Sequence, residues 1–232
     1  VRREGPRRLE PAPACPQSPG DHAVTAPKEV LFFFDFSSPF AYLGATQVEA
    51  VAARVGARVR YRPFLLGGLF REIGTPNAPI LAVSENKRRH FLADMARWAD
   101  FYGVPILFPS RFPMNTVKAL RLVICLSEDG DNERRRLVLP IFNAFWAEDR
   151  DISDDAVLRD LIEKAGFNGD ELLRRAKEEP AKIALREATE EAKTRGVCGA
   201  PCFLVGDQLF WGQDRLIFAE KALNGWQPNG VA

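Results

Sequence analysis

Cysteine and histidine are scarce in this chain, four and two among 232 residues. The cysteines, Cys15, Cys125, Cys198 and Cys202, are too few and too irregularly spaced for a disulfide framework or a four-cysteine zinc site. Cys198 and Cys202 have three residues between them, so they do not form a Cys-x-x-Cys motif. His22 lies near the N-terminus and His90 in a charged helical segment, which argues against both cysteine–histidine catalysis and histidine-ligated zinc. A reducing cytoplasm is the simplest setting for such a chain. Net charge is lacking too: Lys+Arg 32 against Asp+Glu 31 leaves +1, so nothing advertises a nucleic-acid or acidic-membrane partner. The local basic runs at Lys87, Arg88, Arg89 and at Arg134, Arg135, Arg136 read as solvated helix faces. No apolar run approaches a membrane span, since even Val30 to Phe34 stops at Asp35. Residues 1–28, rich in Pro, Arg and Ala, hold no apolar stretch of the kind a secretory signal needs, and we expect a disordered tail there. A Gly-rich phosphate loop is missing as well.

What remains is a chain that is 46% hydrophobic and 27% charged, enough for one large globular domain or a core with an inserted subdomain. Glu29 to Phe36 is β-branched and aromatic and reads as a buried strand. Ser38 followed by Pro39 is a helix start, serine at the N-cap and proline in the first turn, and the helix should run to about Val55 before Gly56. Arg58 to Phe64 alternates polar with apolar side chains as a second strand does. The resulting β-α-β unit should be right-handed with parallel strands. From Gly67 to about Pro180 the periods are helical. They predict helices near Ser84 to Tyr102, Thr116 to Ser127, Asn132 to Trp146, Asp154 to Ala165 and Gly169 to Lys177. A further helix over Ala181 to Arg195 leads to two short strands, Cys202 to Val205 and Gln208 to Trp211, joined by the turn Gly206-Asp207. A last helix should start near Asp214 and end near Leu223. This order is that of an α/β thioredoxin-like fold with an inserted all-helical domain: residues 29–66 and 181–225 form the discontinuous thioredoxin part and 67–180 the insertion.

Three motifs carry a resemblance. Phe34-Asp35-Phe36-Ser37-Ser38-Pro39-Phe40-Ala41-Tyr42-Leu43, then Gly199-Ala200-Pro201, then Trp211-Gly212-Gln213-Asp214-Arg215-Leu216 together resemble the family of 2-hydroxychromene-2-carboxylate isomerases and kappa-class glutathione transferases, over roughly Val30 to Leu223. The same fold family includes disulfide oxidoreductases with Cys-Pro-x-Cys at this helix start, where this chain has Ser38-Pro39-Phe40-Ala41. Disulfide exchange needs an attacking thiolate and a resolving sulfur, and neither position carries one, which excludes dithiol redox chemistry at this site.

The resemblance implies glutathione as cofactor, with Ser38 as the catalytic residue. Its hydroxyl would sit at the positive end of a helix, where donors stabilise a thiolate over a thiol. The plain alternative is that Ser38 only caps its helix. Ser37 competes with it, but the family pattern sets the reactive serine directly before proline. Pro201 is implied to be cis, presenting Ala200 N–H and C=O to the cysteinyl part of glutathione; an ordinary trans proline at a strand start is the alternative. Asp214 and Arg215 are implied at the γ-glutamyl end, the aspartate for the ammonium and the arginine for the carboxylate, against a simple N-cap and a surface cation. Asn77 is a further candidate contact or just a turn former, and Gln213 and Lys87 are weaker candidates. A second-substrate pocket between the thioredoxin part and the helices would draw on Phe40, Arg111, Asn115 and Trp146, although aromatics at helical spacing often belong to the core.

The implied activity is isomerisation of an unsaturated aryl ketoacid, a small aromatic substrate, by reversible thiolate addition that regenerates glutathione. A kappa-like transferase would consume glutathione instead. Phe142 to Trp146 and the Gly-Gln-Asp-Arg-Leu sequence favour the isomerase. A third reading is a non-catalytic thioredoxin-fold protein gripping peptides at the proline loop. A homodimer, with no nucleic-acid or membrane partner, is expected from the same resemblance.

Overall fold

A computed structural model describes residues 28–76, 78–127 and 133–228. The expected tail, residues 1–28, falls almost wholly outside the described residues, as does Asn77.

Among the described residues four strands form one sheet in the order β2-β1-β3-β4. Strand β1 (Glu29–Phe34) pairs parallel with β2 (Arg58–Pro63) and antiparallel with β3 (Cys202–Val205), which pairs antiparallel with β4 (Gln208–Trp211). The parallel pair is joined by α1 (Pro39–Arg54), as the sequence pattern requires. Register places Phe32 opposite both Tyr61 and Phe203, and its ring stacks on Phe203 at 5.3 Å between centroids. Alternation along β1 splits the core. Val30, Phe32 and Phe34 face α1 and the helices beyond it, while Leu31 and Phe33 face the opposite side.

Among the described residues eight helices lie between β2 and β3: α2 (Leu66–Ile73), α3 (Pro79–Ala82), α4 (Glu85–Tyr102), α5 (Val117–Ile124), α6 (Glu133–Trp146), α7 (Asp155–Lys164), α8 (Gly169–Lys177) and α9 (Glu179–Thr194). A single cluster of buried side chains runs from β1 and α1 through α5, α6, α7 and α8, so the sheet and much of the helical block share one core. No helix among the described residues is long and apolar enough to cross a membrane. Helix α9 starts two residues before the expected Ala181, because Pro180 is tolerated in a helix's first turn. Helix α5 starts after Thr116 without a side-chain cap, for the Thr116 hydroxyl is engaged elsewhere.

The last expected helix also differs. A 3-10 turn (Gln213–Arg215) precedes α10 (Leu216–Leu223), so Asp214 lies inside the turn and is not an N-cap. Gly212, at φ +107°, makes this turn possible, since a Cβ there would come within 2.5 Å of Asp214 Oδ1.

Candidate active site

Strand β1 ends at Phe34, and its last carbonyl accepts from Phe64 N–H, so the chain leaves the sheet at a fixed point. The next turn is drawn around Asp35. This carboxylate is 1% exposed and accepts from Ser37 N–H (3.0 Å), from the Thr116 hydroxyl (2.7 Å) and from Leu66 N–H (2.8 Å). The Asp35 carbonyl accepts from Ser38 N–H at 3.1 Å. Burial pushes the Asp35 pKa up, while the hydrogen bonds from Ser37, Leu66 and Thr116 oppose the rise. One side chain thereby ties the turn before α1 to the starts of α2 and α5.

Ser38 follows as the N-cap of α1 with Pro39 in the first turn, as expected. Its Oγ accepts from Ala41 N–H at 3.1 Å and donates to the Ala200 carbonyl at 2.7 Å. Pro39 has no N–H, and the Phe40 N–H has no acceptor among the described residues. The helix thus presents a free donor beside the serine hydroxyl.

Opposite Ser38 runs the loop Gly199-Ala200-Pro201, and the Ala200–Pro201 peptide bond is cis. Trp211 of β4 leans on this loop so closely that a Cβ on Gly199 would sit 2.6 Å from the indole Nε1. Pro201 is buried, and its carbonyl accepts from Gly212 N–H at 2.9 Å, which hangs the Gln213–Arg215 turn on the proline loop. Ala200 N–H makes no hydrogen bond to the described residues and is left as an edge donor.

Ser38 and Ala200 share the wall of a cavity of about 420 Å³. Phe40, Ile80, Phe91, Phe112 and Met114 supply apolar surface, and Asp35, Arg71 and Asn115 are among its polar lining. Phe40 and Phe91 meet edge to face with centroids 4.9 Å apart. Phe40 and Asn115 therefore lie where the sequence placed them. Trp146 does not. It is fully buried in the core, and its indole N–H donates to Phe36 O at 2.8 Å, because α6 packs its aromatic face under the β1–α1 turn. Arg111 is exposed, pairs with Asp151 at 3.9 Å and is absent from the cavity wall. Lys87 lines an outer groove that shares Phe40 and Phe91 with the cavity.

Asp214 and Arg215 lie on the turn beyond the proline loop, paired with each other, and not on the cavity wall. Asp214 approaches the Tyr102 phenol, whose pKa burial and this negative charge push up to about 12. Gln213 is buried, with its Cβ 3.6 Å from where a Cβ on Gly44 would stand. Burial raises both thiols near the loop, Cys202 to about 12 with Cys198 adding to it, so neither is a ready thiolate near neutral pH.

Asp35, Thr116 and Arg71 escaped the sequence reading. Asp35 looked like the point where a strand stops and Thr116 like the first residue of a helix. The pairing of the two spans 81 positions, which no local pattern reports.

Fold and site together define a thioredoxin-type domain with serine in place of the redox cysteine, and the model of the DSBA-like thioredoxin domain matches residues 29–224. The chain is 32% identical to a 2-hydroxychromene-2-carboxylate isomerase of Sphingobium xenophagum, covering 84% of this chain and 98% of that one. It is 25% identical to glutathione S-transferase kappa 1 of Rattus norvegicus, covering 82% and 88%. A solved structure of a 2-hydroxychromene-2-carboxylate isomerase superposes with a TM-score of 0.76 at 28% identity, over 85% of this chain and 95% of the other. The chain belongs to the 2-hydroxychromene-2-carboxylate isomerase family, an enzyme family within the DSBA-like thioredoxin domains.

Proposed function

We propose that the protein is a glutathione-dependent isomerase acting on unsaturated aryl ketoacids, with Ser38 holding the glutathione sulfur. The observation that carries this reading is the 2.7 Å contact between Ser38 Oγ and Ala200 O on a cavity wall, because one cysteinyl unit lying along Ala200 brings its sulfur to Ser38. When bound, glutathione supplies a thiolate that adds reversibly to the substrate's double bond and leaves unchanged after rotation about the resulting single bond. The donor set fits that ligand. The Ser38 hydroxyl and the Phe40 N–H stabilise the charged sulfur over the neutral one. Ala200 N–H and C=O, on a loop fixed by Pro201, pair with the cysteinyl backbone. Asp214 takes the γ-glutamyl ammonium and Arg215 its carboxylate once they part from one another, and Asn77 adds a further contact. The apolar walls hold the aryl group and exclude water.

Calorimetry with glutathione on the wild type and on Ser38→Ala, followed by the ultraviolet absorbance of bound thiolate, tests this. Wild type should bind and ionise the thiol. The variant should bind without ionising it and lose about 10²-fold in kcat on 2-hydroxychromene-2-carboxylate, the order seen when one oxyanion donor is removed. A wild type that fails to bind glutathione would falsify the proposal.

The likeness to the rat kappa-class enzyme favours a second reading, transfer of glutathione to an electrophile. Glutathione counted over many turnovers separates the two, being conserved in isomerisation and consumed in transfer. We also read the chain as a cytoplasmic homodimer, with residues 29–66 and 181–225 as a discontinuous thioredoxin part carrying 67–180 as a helical insertion.

A further inference from the structure

We propose that Arg71 anchors a carboxylate on the second substrate, so that the cavity selects flat aromatic anions over neutral molecules of the same shape; this rests on the cavity being the second-substrate site of the proposed isomerase. Among the described residues two charged side chains line the cavity, Asp35 and Arg71. Asp35 is already engaged, with both oxygens accepting from the protein. Arg71, in the last turn of α2, makes no hydrogen bond or ion pair with any described residue. Its neighbour Glu72 is turned to Lys193 at 2.6 Å. Arg71 is thus a free cation on an otherwise mostly apolar wall, hydrated through its exposure.

A ligand that fills the cavity displaces that water. A neutral aromatic would leave the guanidinium partly desolvated and unpaired, which is unfavourable. An aromatic carboxylate replaces the water with a two-pronged, charge-assisted pair that a planar guanidinium is shaped to make. The rings of Phe40, Phe91 and Phe112 supply surface for the flat body of the ligand. The discrimination is therefore double: a gain for the anion and a penalty against its neutral twin.

The test uses the full chain without glutathione and two unreactive probes of nearly equal shape, naphthalene-2-carboxylate and naphthalene-2-carboxamide, titrated by calorimetry. Wild type should bind the carboxylate about 10- to 100-fold more tightly than the carboxamide, the range expected of a hydrogen bond to a charged group. In Arg71→Leu the ratio should fall to about one, while Arg71→Lys, which keeps the charge but not the fork, should hold part of it. In the presence of glutathione, KM for 2-hydroxychromene-2-carboxylate should rise in Arg71→Leu by a similar factor with kcat moved far less. Equal binding of the two probes to wild type, or a preference that survives Arg71→Leu, overturns the proposal. Failure to bind glutathione would instead remove the isomerase reading, while the probe ratio, measured without glutathione, would still report on Arg71.

Discussion

On the sheet side of the cavity Asp35, Ser38 and Ala200 are held by hydrogen bonds of 2.7 to 3.1 Å, drawn from the β1–α1 turn, α1, α2, the start of α5 and the proline loop. The opposite side is made differently. Between Arg71 and His90 no described residue is buried, and Ile73, Leu81 and Val83 are 42%, 56% and 36% exposed. The first side holds the proposed reacting atoms, where a displacement of about 1 Å is ruinous to rate. The second contributes Arg71, Pro79 and Ile80 to the cavity, where shape selects the ligand. Positions that carry little packing can change with little loss of stability, so the exposed wall tolerates substitution that the hydrogen-bonded wall does not.

Substitutions should break the two walls unequally. Trp146→Ala removes a fully buried indole and the hydrogen bond to Phe36 O beneath the reactive turn, and should lose about 3 to 5 kcal/mol in urea unfolding. A loss below about 1 kcal/mol would mean that the sheet side is not the rigid one. Asp35→Asn turns one acceptor into a donor facing donors and should cost about 1 to 3 kcal/mol. Its pH dependence has a definite sign. Because the folded-state pKa of Asp35 is raised above the ordinary 3.8, only between 3.8 and the raised value does the native protein hold a proton that the unfolded chain has released. The group's contribution is complete below 3.8 and is lost as pH rises through the raised value, so the deficit of Asp35→Asn relative to wild type should shrink in that direction. Unfolding curves for both proteins from pH 3 upward would show it, and a deficit that grows with pH would reverse the assignment. Leu81→Ala, on the thin wall, should stay within about 0.5 kcal/mol of wild type.

Much of the sheet side was legible because its signals are local. Serine before proline announces a cap, and a β-branched run followed by a helix and an alternating run announces the parallel pair. The cis bond at Pro201 was legible through resemblance alone, since nothing in the neighbouring residues dictates it. Trp146 was misplaced because a helical aromatic stripe looks the same facing a core or a cavity, and only the packing of α6 under Phe36 decides. Arg71 was hidden for another reason. Helix α2 spans eight residues and opens with Gly67 and Gly68 in its first turn, so its period is short and its start lacks a side-chain cap.

A hydroxyl owns a single hydrogen. That of Ser38 is given to Ala200 O, so on the proposed binding mode it turns from the carbonyl to serve the sulfur. The carbonyl is poorly placed to be abandoned unless some other N–H arrives to replace it. A peptide-like thiol brings both the sulfur and the replacement donor in one molecule; a simple alkyl thiol brings only the sulfur. On the proposed binding mode the Ser38–Ala200 contact works as an interlock, released by the backbone N–H of a peptide-like thiol.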